Sequence, residues 1–262
     1  MISFIDLLNS MSSGQEGQWS VTITEDWMQG RTTYGGLSAA LCLQAVQNDH
    51  PDLPPLRSAQ INFIGPAGGE VTITNTVMRI GKSVAYISSE MKGEKGIATH
   101  AVFCFGASRE SKLDHDFSKA PSIPSPEQSN DFFALGPGPV FTQYFDCLLA
   151  KGDPPISGSD ESEIYIWSRH KEQTPNDMVT LLSIADMPPP AVLPMFNEFA
   201  PISSMTWMLN FLVETPTTKD GWWLLRSTAE HAKDGYSSQD MAVWNSDNQL
   251  IITGKQSVAI FY

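Results

Sequence analysis

Few residues in this chain have types and spacings suited to chemistry, and the most pointed is a glutamine. Gln256 lies in the run Lys255 to Phe261 (KQSVAIF), where it shares a strand face with Val258 and Ile260. An amide on an apolar face must find hydrogen-bond partners, whether it serves a reaction or only the packing. Glu230 stands two residues after Thr228 in a second strand-like run, so strand periodicity puts both side chains on one face. A carboxylate beside a hydroxyl could accept a proton from water. Gly35 and Gly36 open a long apolar helix directly after Tyr34. The N–H groups at a helix start favour negative charge, although the same glycines would serve close helix packing equally well. Asp186, before Pro188-Pro-Pro190, and His231 could also handle a proton. Their simpler roles are a local hydrogen bond at a helix end and a structural or surface histidine.

Other chemistries lack their residues. A serine-hydrolase elbow needs GxSxG on a strand–turn–helix, and Gly36 to Ala40 (GLSAA) and Gly81 to Ala85 (GKSVA) each fall one glycine short. Neither GxxxxGK[ST] nor GxGxxG occurs, which argues against nucleotide folds. Five scattered histidines form no HxxxH, and three cysteines (Cys42, Cys104, Cys147) form no CxxC. We therefore expect no metal and no cofactor. Arg79, Lys82, Arg226 and Lys233 could meet phosphates, but isolated basic residues on strands are mostly solvated.

The elements that must position these residues come in duplicate. Gly35 to Gln47 reads as a helix followed by Pro51, Pro54 and Pro55 and then strands; Asn176 to Met187 reads as a helix followed by Pro188 to Pro190 and then strands. RSAQINFIGP from Arg57 parallels SSMTWMLNFL from Ser203, and THAVFCF ending at Phe105 parallels KQSVAIF ending at Phe261. Met1 to Asn9 reads as a short amphipathic helix and Trp19 to Ile23 as a strand. Three or four strands are expected between Arg57 and Gly106, punctuated at Gly65 to Gly69, Gly81-Lys82 and Gly93 to Gly96. Residues 1–106 thus form one unit. The Ser/Pro/Gly-rich stretch 107–139 reads as a linker, and 140–262 as the second unit. The first helix is apolar on almost every side, with Leu37, Ala40, Leu41 and Ala45 on one face and Ala39, Cys42, Leu43 and Val46 on another. An antiparallel sheet wrapped round it gives the needed cover. That makes an α+β protein, a double hot-dog built from an internal repeat.

Composition bounds the function. The chain has 262 residues, 41% of them hydrophobic, and carries a net charge of −13. The charge argues against nucleic acid as a partner. No apolar run approaches the roughly 18 residues of a membrane span. The N-terminus has no positive region, and the odd cysteine count fits a reducing compartment, so a cytoplasmic location is expected. Unpaired edge strands invite a homodimer or larger homo-oligomer.

The segments Gly30 to Leu41 (GRTTYGGLSAAL), Ile61 to Pro66 (INFIGP), Ser204 to Leu212, Trp222 to Trp244 and Gly254 to Phe261 together resemble the double hot-dog acyl-CoA thioesterases, the group similar to acyl-CoA thioesterase II. The aromatic-Gly-Gly start of the first helix and the glutamine near the end of the last strand are the more specific marks. The resemblance implies hydrolysis of an acyl-CoA thioester by an activated water, without a covalent intermediate. In that branch an Asp, a Thr and a Gln hold the water. The Thr maps onto Thr228 and the Gln onto Gln256, while the Asp position is occupied by Thr206. The expected catalytic set is then Thr206, Thr228 and Gln256, with Glu230 as an alternative base. Tyr34, Gly35, Gly36 and Gln60 are expected to contact substrate. Without the acid, the other reading is a non-catalytic acyl-CoA or acyl-chain binding protein on the same scaffold.

Overall fold

The computed structural model describes residues 1–15 and 17–262. Among the described residues, three α-helices interrupt the succession of strands: α1 (Phe4–Asn9), α2 (Gly35–Asp49) and α3 (Met178–Ala185). The first half contains β1 (Ser12–Ser13), β2 (Gln18–Ile23), the small hairpin β3 (Met28–Gln29) and β4 (Thr32–Thr33), then α2 and four long strands. These are β5 (Leu56–Phe63), β6 (Gly69–Ile80), β7 (Val84–Gly93) and β8 (Gly96–Gly106). The second half repeats the plan. β9 (Asn130–Asp131), β10 (Phe145–Lys151) and β11 (Glu163–His170) precede α3, and β12 (Ile202–Phe211), β13 (Trp223–Lys233), β14 (Tyr236–Asn245) and β15 (Leu250–Ile260) follow it.

All strands but β3 and β4 join one antiparallel sheet, in the order β1-β2-β6-β7-β8-β5-β12-β15-β14-β13-β11-β10-β9. The two units meet edge to edge along β5 and β12, with Gln60 opposite Met208. Each unit's sheet curls round a helix. Every residue of α3 is buried, as is nearly all of α2 from Gly36 to Val46. The two helices lie against each other inside one continuous core shared by both units.

Side-chain alternation decides which residues of the long strands look inward. In β15, Gly254, Gln256 and Val258 are buried while Lys255 and Ser257 are exposed. Two bulges break this rhythm. In β12 the register slips between Ser204, opposite Val258, and Thr206, opposite Ser257. In β13 it slips between Ala229 and His231, leaving Glu230 as the extra residue. A bulge sends the following residues to the other face, and both matter for the site.

The stretch 107–139 does more than connect. Ala120 and Ile123 pack on Tyr165, Trp167, Leu224 and Trp244 at the outer face of the second unit, and the Trp167 indole donates to the Pro124 carbonyl at 2.8 Å. Asn130–Asp131 then pairs with β10 as the sheet's last strand.

Candidate active site

The site forms where the start of α2, from the first unit, meets the end of α3, from the second. Thr33 and Tyr34 are pinned before α2 begins: the Thr33 N–H donates to the Ala67 carbonyl at 2.7 Å and the Tyr34 N–H to the Trp27 carbonyl at 3.0 Å. The Tyr34 ring stacks on Phe141 at 3.9 Å, and its hydroxyl donates to the Ser183 carbonyl in the last turn of α3 at 2.7 Å. The two glycines that follow are required by contact. A Cβ on Gly36 would lie 2.5 Å from the Ser183 oxygen, and one on Gly35 would lie 2.5 Å from Asp186 Oδ2 and 3.1 Å from the Phe63 ring. Any side chain at either position would hold the helices apart.

Asp186 caps α3 with φ −94° and ψ 6°, in the bridge region where many active-site residues sit. Its carboxylate points at the first turn of α2. The Gln256 Nε2 donates to Asp186 Oδ1 at 2.9 Å, and the Gly36 N–H also faces the carboxylate. Gln256 is in turn held by Gln239, on the neighbouring strand β14, whose Nε2 donates to Gln256 Oε1 at 2.8 Å. The Ala191 N–H donates to Gln239 Oε1 at 2.8 Å. Ala191 belongs to the loop after the three prolines, so α3, its following loop, β14 and β15 are tied into one chain of hydrogen bonds that ends on Asp186.

Burial raises the Asp186 carboxyl to about 7, while the Gln256 amide and the Gly36 N–H favour its charged form and limit the rise. Two aspects of its burial differ. The carboxyl is surrounded deeply by protein, yet the residue keeps some solvent-accessible surface, as its neighbours Gln239 and Gln256 do not. The surrounding protein sets the cost of the charge. The carboxylate also reinforces the burial that holds Tyr34 well above the usual phenol range, so its hydroxyl stays a neutral donor. His170, stacked on Phe4 at 4.7 Å with its Nε2 2.7 Å from Ser183 Oγ, is pushed by burial down to about 3 and is neutral.

The structure brings only some of the expected residues together. Gln256, Tyr34, Gly35 and Gly36 converge on Asp186. Thr206 does not: the bulge in β12 turns it to the exposed outer face, beside Asn62 and Ser257. Thr228 also faces outward, level with Asp240 and Lys255 across the sheet, and its hydroxyl lies 3.5 Å from Glu163 Oε2. Glu230 is exposed and paired with Lys255 at 2.6 Å, which together with Ser238 holds its carboxyl below the usual range. It lies on the same outward face as Thr228, as strand periodicity suggests, but that face is away from Asp186 and Gln256. Gln60 lies on the outer face, exposed between Met208 and Val102. His231 is exposed too. Among the described residues no group of three or more His, Cys, Asp or Glu could hold a metal ion, and no helix is long and apolar enough to cross a membrane.

Asp186 is therefore the carboxylate of this constellation; the sequence offers it as a proton handler, with a local cap before the proline run as its simpler role. Gln239 is absent from the residues that the sequence singles out. A signal for it exists: like Gln256 it falls between residues destined for an apolar face, Ser237 and Met241, and a buried amide needs a partner of its own kind.

Comparisons with known proteins agree with this architecture. A family model described as acyl-CoA thioesterase N-terminal domain matches residues 23–106, and one described as acyl-CoA thioesterase C-terminal domain matches residues 117–260. No curated protein matches the chain by sequence. Among solved structures, a conserved protein of unknown function with a hot dog fold from Alicyclobacillus acidocaldarius is 23% identical with a TM-score of 0.88, covering 99% of this chain and 98% of that one. An acyl-CoA thioesterase II from Mycobacterium marinum is 16% identical with a TM-score of 0.78, covering 98% of each. A dehydratase domain from Pseudomonas fluorescens shares the fold at 11% identity and a TM-score of 0.59, again covering 98% of each. At these identities the solved structures speak for the fold, a double hot-dog, and the family models speak for the family.

Proposed function

We propose that this chain, which belongs to the acyl-CoA thioesterase family, hydrolyses acyl-CoA thioesters to the free acid and CoA, with Asp186 activating the water. The observation that carries the proposal is the Asp186 carboxylate, held by Gln256 at 2.9 Å against the first turn of α2. A carboxyl poised near 7 is ionised often enough to accept a proton and is basic enough to do so usefully.

The steps balance with these groups alone. Asp186 takes one proton as the water oxygen bonds to the thioester carbonyl carbon. The carbonyl oxygen gains the electron pair, and first-turn N–H groups of α2 stabilise it, since a helix start favours negative charge. Collapse of the tetrahedral intermediate breaks the carbon–sulfur bond. The thiolate leaves and recovers the proton from Asp186. Gln256 keeps the carboxylate aimed throughout, which is a contribution of position. In this reading Thr206 and Thr228 have no part, and the carboxylate that β12 lacks is supplied from the end of α3.

The test is thiol release from short to long acyl-CoA esters by the wild type, Asp186→Asn and Gln256→Ala. A general base is worth about 10²–10⁴-fold, so Asp186→Asn should lose at least that lower figure. Gln256→Ala should lose about tenfold or more through misplacement of the base. Release that survives Asp186→Asn would refute the assignment. Binding of acyl-CoA by the wild type with no release from any ester would replace it with the non-catalytic acyl-CoA binding protein.

A further inference from the structure

The geometry points to Gln239 as a positioning residue of this site: by accepting from the Ala191 N–H it fixes which end of the Gln256 amide faces Asp186. The inference rests on the reading of Asp186 and Gln256 given above. An amide side chain has an oxygen that only accepts and a nitrogen that only donates, and rotating it by half a turn exchanges them. The backbone N–H of Ala191 has no such freedom. It can only donate, so it requires the Gln239 oxygen at 2.8 Å. The Gln239 nitrogen must then point to Gln256, whose oxygen accepts at 2.8 Å. That leaves the Gln256 nitrogen, and only the nitrogen, for Asp186 at 2.9 Å. The orientation of two side chains is thus set by one backbone group in the loop after α3. Turned the other way, Gln256 would present an oxygen to a carboxylate, and the negative charge would be opposed rather than held.

Packing alone does not explain Gln239. It is fully buried, on the inward face of β14, where an amide without partners is costly and an apolar side chain would fill the space. Inward positions of β7, the strand next to β8 in the first unit, hold Ile87 and Ser89. On the elements around α3, the titratable side chains Tyr34, Cys147 and His170 are all held neutral by burial. Against the burial, the Gln256 amide and the Gly36 N–H are therefore what favour the charged form of Asp186.

Two variants test this, Gln239→Glu and the uncharged Gln239→Met, and the second is the discriminating one. The carboxylate that Gln239→Glu introduces still accepts from Ala191 but has no donor for Gln256, so Gln256 must turn its nitrogen toward that new carboxylate and its oxygen toward Asp186. The acid limb of the kcat/KM profile for thiol release should then move up by about one pH unit or more, with KM nearly unchanged. Gln239→Met removes both hydrogen bonds without adding charge, and should move the limb the same way by less. A residue that only packs would leave the limb in place in Gln239→Met, where no charge is added, and that result would overturn the inference. If the wild type releases no thiol, the reading of the reaction fails, yet this one is still tested. The pH at which the melting difference between a protein and its Asp186→Asn form levels off reports the same carboxyl, and it should be higher in the Gln239→Met background than in the wild type.

Discussion

Replacing Asp186 by Asn keeps the shape of the site and removes a charge that the fold holds at a cost. The carboxyl ionises near 3.8 when unfolded and near 7 in the folded chain, chiefly because burial penalises the charge. A carboxyl whose folded value is raised contributes stability that is fully present below the unfolded value and is lost as pH rises toward the folded one. Between pH 4 and 7 the native state binds the extra proton, so stability declines across that window and is level above it. Three pH units at 1.36 kcal/mol each set an upper limit of about 4 kcal/mol. Because Asp186 keeps some contact with solvent, screening brings the expected figure to about half, roughly 2 kcal/mol. Asn approximates the protonated acid at every pH. The variant should therefore melt with the wild type at pH 4 and higher than it at pH 8, by about 4–8 °C at the 2–4 °C per kcal/mol usual for a chain of this size. The assay is a pair of thermal melts at each pH, in which the other carboxylates cancel between the two proteins. Equal melting differences at pH 4 and pH 8 would refute the reasoning, since they would mean that Asp186 carries no raised ionisation. A variant that melts higher at pH 8 yet has lost thiol release would show that the charge is kept for function at the expense of stability.

Other expectations follow from which face each residue occupies. Thr206→Val, Thr228→Val and Glu230→Gln each change the outer face of the sheet, so thiol release should stay within about twofold of wild type, as surface substitutions do; a tenfold loss in any of them would bring the reaction to that face. Gly35→Ala would press on the Asp186 carboxylate and the Phe63 ring, and kcat should fall by about an order of magnitude or more, since small misplacements near a reacting group are costly. Gly36→Ala meets the Ser183 carbonyl and the Tyr34 phenol instead, so its main effect should be on melting, at about 1–3 kcal/mol for overpacking.

Much of this fold was legible in the sequence because it depends on period and punctuation. The two helices, the strands after each, and the Gly-Gly entry to α2 all lie where apolar spacing and turn residues put them. The faces were legible only where strands are regular. Gln256 could be placed inward from its neighbours Val258 and Ile260, in a strand with no slip near it. Thr206 sits just past a bulge at Met205, and strict alternation from Ser204 would have put it inside. Glu230 is itself a bulged residue. A bulge depends on how two strands settle against each other, and nothing in MTWML or TAEHA announces one. Asp186 could be named as a proton handler but not placed, for a different reason. Its partners Gly36 and Gln256 lie 150 and 70 positions away, and only the packing of α3 on α2 makes it more than a helix cap.

That packing also explains why a repeat of two similar units carries a single site of this kind. The N–H groups come from the first unit, at Gly35 and Gly36, and the carboxylate and its amides from the second, at Asp186, Gln256 and Gln239. Neither unit contains both halves. A second, related site would need amides on the inward faces of β7 and β8 and a carboxylate at the end of α2. The inward residues there are Ile87, Ser89, Ala101 and Phe103. The acid at the end of α2, Asp49, accepts from the Trp19 indole at 2.9 Å and the Asn75 amide at 2.7 Å. Its hydrogen bonds are spent on fastening α2 to β2 and β6, whereas Asp186 meets the Gln256 amide and the first turn of α2. β7 and β8 line the first unit's core mostly with apolar side chains, with Ser89 and Thr99 as buried polar exceptions, while the second unit carries the buried amides Gln239 and Gln256 and the carboxyl of Asp186.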